Sequence, residues 1–129
     1  MGEAQDRYTV EVIVGAVVGT PESAERLVLG KYDDDGSLSI VGSTGALTPT
    51  QRRALRAYLF TASEHPWPSE IPAGRLGHWG GDAQLVHLVE PTLVVEVSAD
   101  KALDHGRWRH VVRYARPRPD IDADSVSRT

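Results

Sequence analysis

Cysteine is absent from the 129 residues, which removes disulfides, thiolate nucleophiles, iron–sulfur clusters and thiolate zinc sites. A reducing, cytoplasmic setting is the expectation that fits. No stretch approaches the roughly 18 consecutive apolar residues of a membrane helix. Met1 to Arg7 also lacks the basic segment and apolar run of a leader, so a soluble, untargeted chain with no membrane partner is expected. The five histidines, at 65, 78, 87, 105 and 110, show no ligand spacing such as His-x-x-x-His, and zinc is not expected. Asp33-Asp34-Asp35-Gly36 lacks the spaced ligands and closing Glu of a calcium loop. There is no Gly-x-Ser-x-Gly elbow to support hydrolase chemistry, and no internal repeat.

What is present is charge gathered in one place. The chain is acidic overall, at −4. Between Lys101 and Arg118, however, six basic residues (Lys101, Arg107, Arg109, Arg113, Arg116, Arg118) face one acid, Asp104. The total of −4 less this local +5 leaves −9 for the remainder. A polyanion such as a nucleic-acid backbone is the simplest partner for a basic strip on an acidic body. The other reading, a strip neutralised by the chain's own carboxylates, stays open on charge alone.

The hydrophobic pattern is that of strands. From Tyr8 to Val18 the side chains alternate with period two, and Gly15 and Gly19 permit a bend or bulge. Further strands are expected at about 26–32 and 37–41, joined by a hairpin turn at Asp33–Gly36, then at about 84–89, 92–99 and 108–115. One helix signal stands out. Thr48-Pro49-Thr50-Gln51 offers a hydroxyl cap, proline at the first helical position and glutamine where a capping box needs it. Leu55, Tyr58, Leu59 and Ala62 then fall on one stripe. The Pro/Gly-rich stretch 65–82, with Trp67 and Trp79, is expected to lie against the body through its tryptophans or to be mobile.

A chain of this length and 40% hydrophobic content fits one domain with one core. We expect a flexible N-terminus at 1–7, a domain at 8–118 and a polar, frayed tail at 119–129. A mainly β chain with its helix between strands three and four has the order of an OB-fold, the five- to six-stranded Greek-key oligonucleotide-binding barrel.

Five segments carry a resemblance to a known family. They are Val12 to Val17, Val41-Gly42-Ser43-Thr44-Gly45, His65-Pro66-Trp67-Pro68 and Val89 to Val97, with Trp108 to Arg113 followed by Arg118-Pro119-Asp120. In this order they resemble the C-terminal region of ATP-dependent DNA ligases, particularly the actinobacterial type, over about Thr9 to Asp120. The resemblance implies an OB-fold that follows a nucleotidyltransferase domain, completes its adenylation site and helps encircle nicked DNA. It also implies that ATP and Mg2+ are cofactors only of that separate domain. Lys31-Tyr32-Asp33-Asp34 departs from the family's Lys-x-Asp-Gly nucleophile motif and sits in an expected hairpin, so no catalytic lysine is assigned. His110-Val111-Val112 stands where the family has His-Pro-Val, and Ile121 where a lysine often follows.

Duplex or nicked DNA is therefore the expected partner, with Arg107, Arg109, Arg113 and Arg116 on its backbone, because a guanidinium fork donates two hydrogen bonds to one phosphate. Arg52 and Arg53, with Arg56, form a second basic group that is either a DNA contact or an ordinary solvated helix face. By resemblance Arg118 and Asp120 fall on the motif that approaches nucleotide phosphate. Strand alternation places Arg107, Arg109, Val111 and Arg113 on one face and Trp108, His110, Val112 and Tyr114 on the other. Trp67, Trp79 and Trp108 are expected to pack rather than stack on bases. The alternative function is a protein-interaction module that docks in trans on a nucleotidyltransferase or another acidic partner.

Overall fold

The computed structural model describes residues 8–77, 82–100 and 106–126. The N-terminal segment 1–7, Trp79, Lys101 and the last three residues of the tail lie outside these. The organising element is β1, Tyr8–Thr20, which pairs antiparallel with both of its neighbours. Its second half pairs with β2 (Ser23–Tyr32), and β2 pairs with β3 (Leu38–Ser43) through the Asp33–Gly36 turn. Its first half pairs with β7 (Val94–Ala99), which pairs with β8 (Arg113–Pro117). Between β3 and β7 lie α1 (Pro49–Leu55) and the two-residue strands β4 (Glu70–Ile71), β5 (Gln84–Leu85) and β6 (His87–Leu88). The sheet order is β3-β2-β1-β7-β8, with β6 also on β1.

The barrel closes where Thr44 and Val112 form a parallel bridge. Trp108 N donates to Val41 O at 2.7 Å, Val112 N to Ser43 O at 2.9 Å and Gly45 N to Val112 O at 3.0 Å. This closure by the last strand against the third is the topology of the OB-fold. It also explains why the strand expected at 108–115 starts late. The backbone before Arg113 spends its hydrogen bonds on β3 rather than on a regular ladder with β7, and Trp108 and Val112 are drawn inward while His110 stays exposed.

β1 is fully buried from Val12 to Val14 and again at Ala16 and Val17, because both of its faces are covered. Val12, Val14 and Val17 join Leu27, Leu29, Val41, Val95 and Trp108 inside the barrel. Ile13 and Ala16 join Val28, Ile40 and Val94 in a second cluster, outside the first. Simple alternation would have put Ala16 with Val14. A register shift between Val14 and Ala16, at Gly15, reverses the phase, and a second occurs between Val18 and Gly19. Both glycines expected to permit a bulge therefore lie at one.

The outer cluster is roofed by Trp67, Ile71 and Leu76 from the Pro/Gly-rich stretch, and by Ala123 and Val126. Trp67 Nε1 donates to Leu38 O at 2.8 Å, and its ring packs against two glycines. A Cβ at Gly15 would run into it, and one at Gly30 would stand 2.7 Å from Cζ2. The C-terminal segment is not frayed up to Val126. Ala123–Ser125 forms a 3-10 turn capped by Asp122, and Tyr32 N donates to Val126 O at 3.1 Å. Two small apolar side chains among acids suffice to dock it.

The capping box at α1 forms on both sides. Thr48 Oγ1 accepts from Gln51 N at 3.1 Å, and Gln51 Oε1 accepts from Thr48 N at 2.9 Å. The helix is nevertheless shorter than its apolar stripe. Past Leu55 the chain tightens, with Tyr58 N donating to Leu55 O, and then straightens so that Ala62 N reaches Leu88 O and Glu90 N reaches Phe60 O. Pairing with β6 overrides helical propensity. Thr48→Ala is expected to cost about 1 kcal/mol, the usual worth of an N-cap hydroxyl, read as a lower urea midpoint at unchanged slope.

Candidate functional site

The basic strip divides into two groups. Arg107, Arg109, Arg113 and Arg116 are all exposed. On β8 a register shift opposite Glu96/Val97 leaves Ala115 unpaired. Arg113, opposite Ser98, and Arg116, opposite Glu96, consequently both point outward although they are three residues apart, with Tyr114 pointing in between.

Arg116 is held by Glu96, with Nε to Oε1 at 3.1 Å and one terminal nitrogen also at 3.1 Å. Arg118 donates to both carboxylate oxygens of Asp120, at 3.1 and 3.0 Å, and lies 3.6 Å from Glu11 and from Glu96. Glu11 and Glu96 face each other across β1 and β7, a like-charge pair that the two arginines neutralise. The hydrogen bonds from Arg118 hold the Asp120 carboxyl below its ordinary range. These two arginines, expected to meet phosphate, each have an internal carboxylate partner. The signal that could have found it is the register of two glutamates 85 positions apart, which no local pattern contains.

Arg107 and Arg113 have no carboxylate partner among the described residues. Arg109 and Arg113 line an open cleft of about 830 Å³ between the end of β7, the segment before β8 and the first turn of α1. Its apolar surface comes from Trp108, Val111, Val112 and Tyr114, and its polar groups include Gln51, Ser98, Asp100 and His110. Trp108 and Tyr114 are buried, while Val111 is 40% exposed. Burial, with the neighbouring Tyr58, pushes the Tyr114 hydroxyl up to about 12, so it stays protonated. Arg52 and Arg53 ride on α1 beside Gln51 but do not line this cleft. Arg52 is half-buried, with its Nε lacking a hydrogen-bond partner, and Arg53 is exposed.

Two further titratable groups were not singled out as sites. Lys31 on β2 is 6% exposed, and burial lowers its pKa against the opposing pull of Glu11. No set of three potential metal-ligating His, Asp or Glu side chains occurs among the described residues, and no helix there is long and apolar enough to cross a membrane. His65 accepts from Trp67 N at Nδ1, 3.1 Å away, with its ring 5.1 Å from the indole. Burial lowers its pKa, and the Gly15 backbone and Glu90 pull the other way.

Protonated His65 cannot accept that bond. Because its pKa is depressed in the folded chain, the unfolded chain binds the proton more readily. Stability is then full above the unfolded value of about 6.5 and declines as pH falls through the folded value. His65→Asn supplies an acceptor without titrating. It is expected to flatten the dependence of urea midpoint on pH between about 7 and 5 relative to the parent.

Comparison with known proteins agrees with this architecture. Residues 21–121 match the family described as the ATP dependent DNA ligase C terminal region. DNA ligase C2 of Mycolicibacterium smegmatis is 39% identical over 117 residues, which cover 78% of this chain and 32% of the relative. DNA ligase C of Mycobacterium tuberculosis is 35% identical over 115 residues, with the same coverage. The chain thus spans about a third of the length of these relatives. Among solved structures, the ligase domain of M. tuberculosis LigD superposes with a TM-score of 0.72 at 26% identity, over 96% of this chain and 39% of that one. A mycobacterial DNA ligase D complexed with ATP and MES gives 0.69 at 24% identity, over 95% and 38%, and shares the fold. With its barrel topology and a family match over most of its length, the chain belongs to the C-terminal region of ATP-dependent DNA ligases.

Proposed function

We propose that this domain binds duplex DNA, nicked duplex included, through Arg107, Arg109 and Arg113, and that it is not catalytic alone. The observation that carries the reading is the outward placement of Arg107 and Arg113 without a carboxylate partner among the described residues, in a family whose members join DNA. Arg116 and Arg118 hold the β1–β7–β8 face together in this reading, and the Arg118–Asp120 pair meets nucleotide phosphate only if it exchanges its carboxylates for that phosphate. Arg52 and Arg53 add long-range attraction from α1.

ATP and Mg2+ belong to a separate nucleotidyltransferase domain, joined to this one or acting in trans in the cytoplasm. That domain supplies the adenylated lysine, because Lys31 is buried on β2 between β1 and β3. Phe60 and Leu85, 59% and 69% exposed, offer that domain apolar contact on segments tied together by the 2.8 Å Thr61–His87 hydrogen bond.

The test is binding of a labelled nicked duplex by fluorescence anisotropy across a salt series. Two or three phosphate contacts predict a slope of log affinity against log salt of about −2 to −3. Binding that ignores salt, or no binding at low salt, overturns the reading.

A further inference from the structure

A smooth cationic surface is all that duplex backbone requires, yet the arginines here border a concave cleft with an apolar wall. Its volume, about 830 Å³, is far larger than one phosphate needs and falls in the range of small-molecule sites. Val111 stands 40% exposed in it, beside the rim of Arg109 and Arg113. An exposed aliphatic side chain between two cations suits a ligand that is flat and apolar in one part and anionic in another. Among the described residues, Asp100 is the one acidic side chain in the lining. A concave space of this size, with Arg113 at its rim and an apolar wall, matches a single unit better than a run of backbone.

We propose that this cleft takes one nucleotide unit, its base against Val111 and the buried Trp108–Tyr114 wall and its phosphate toward Arg113. The inference rests on the DNA-binding reading and deepens it. The source of the unit is either an unpaired nucleotide at a nick or a free mononucleotide, and the two are separable.

The experiment compares anisotropy-derived affinities for a flush nicked duplex and for the same duplex with a one-nucleotide flap, and titrates AMP against intrinsic tryptophan fluorescence. A flap bound at least about fivefold more tightly than the flush nick supports an unpaired nucleotide of DNA. Saturable AMP binding without flap preference supports the mononucleotide source. Ala46→Trp, which fills the cleft from its exposed edge, and Val111→Ser, which removes its apolar contact, are each expected to bring the flap-to-flush ratio to about one or to abolish AMP binding. Equal affinity for flap and flush, with no AMP binding, overturns the cleft while duplex binding stands. A preference that survives both variants also overturns it. Loss of binding to every DNA, by contrast, sinks the underlying DNA-binding reading.

Discussion

Trp67→Ala is expected to remove about 3–5 kcal/mol of stability, the usual cost of deleting a buried indole, and to lower Tm by on the order of 10–20 °C in a chain of this size. The domain's whole stability is expected to be about 5–15 kcal/mol, so the variant sits near the edge of folding. The physical reason is local. Gly15 and Gly30 have no side chains, and the indole fills the space over both. Its removal opens a void that neither β1 nor β2 can close, and it leaves the Leu38 carbonyl without its donor. Trp67→Phe keeps most of the ring and loses the donor, so a smaller loss of about 1–2 kcal/mol is expected. Urea unfolding followed by far-ultraviolet circular dichroism checks both. A Trp67→Ala midpoint matching the parent would show that the 62–77 segment contributes nothing to the fold.

The second large effect concerns binding. Arg107→Ala with Arg113→Ala should make the salt slope shallower by about two, at about 0.9 per phosphate lost. If each contact contributes about 1 kcal/mol, the pair weakens low-salt affinity roughly thirtyfold. Arg116→Ala is expected to change affinity by less than about twofold, because its guanidinium is already engaged by Glu96. This ordering separates the proposal from plain net charge, which would predict a similar loss for any arginine removed. Anisotropy titrations of the two variants on one nicked duplex decide between them.

Most of the barrel was legible in the sequence, since strand alternation and turn chemistry are local and the Thr48 cap reads directly from four residues. Errors arose where distant segments compete for the same backbone. The stripe through Tyr58 and Ala62 reads as helix, but the Phe60–Ala62 backbone pairs with the β6 region instead. The residues before β8 read as a strand of their own, but they close the barrel against β3. Trp67 and Trp108 pack, as expected. The arginines were found as a group and not sorted, because sorting them needs Glu11 and Glu96, whose positions depend on the β1–β7 register. The cleft was missed for the same reason. Its walls come from residues 45–51, 98–100 and 108–114, and no one segment contains its shape.

The unpaired Ala115 acts as a spacer that lets two cations three positions apart share the outer side of β8. Deleting it would leave Arg113, Tyr114 and Arg116 in plain alternation opposite the same partners, with both guanidinium groups still outward and the Tyr114 ring still inward. Substitutions that trade one long polar side chain for another on the outer positions leave that pattern intact. The harmful change is Ala115 drawn into the ladder without any shortening, which would swing one of the two guanidinium groups toward the hydrophobic interior.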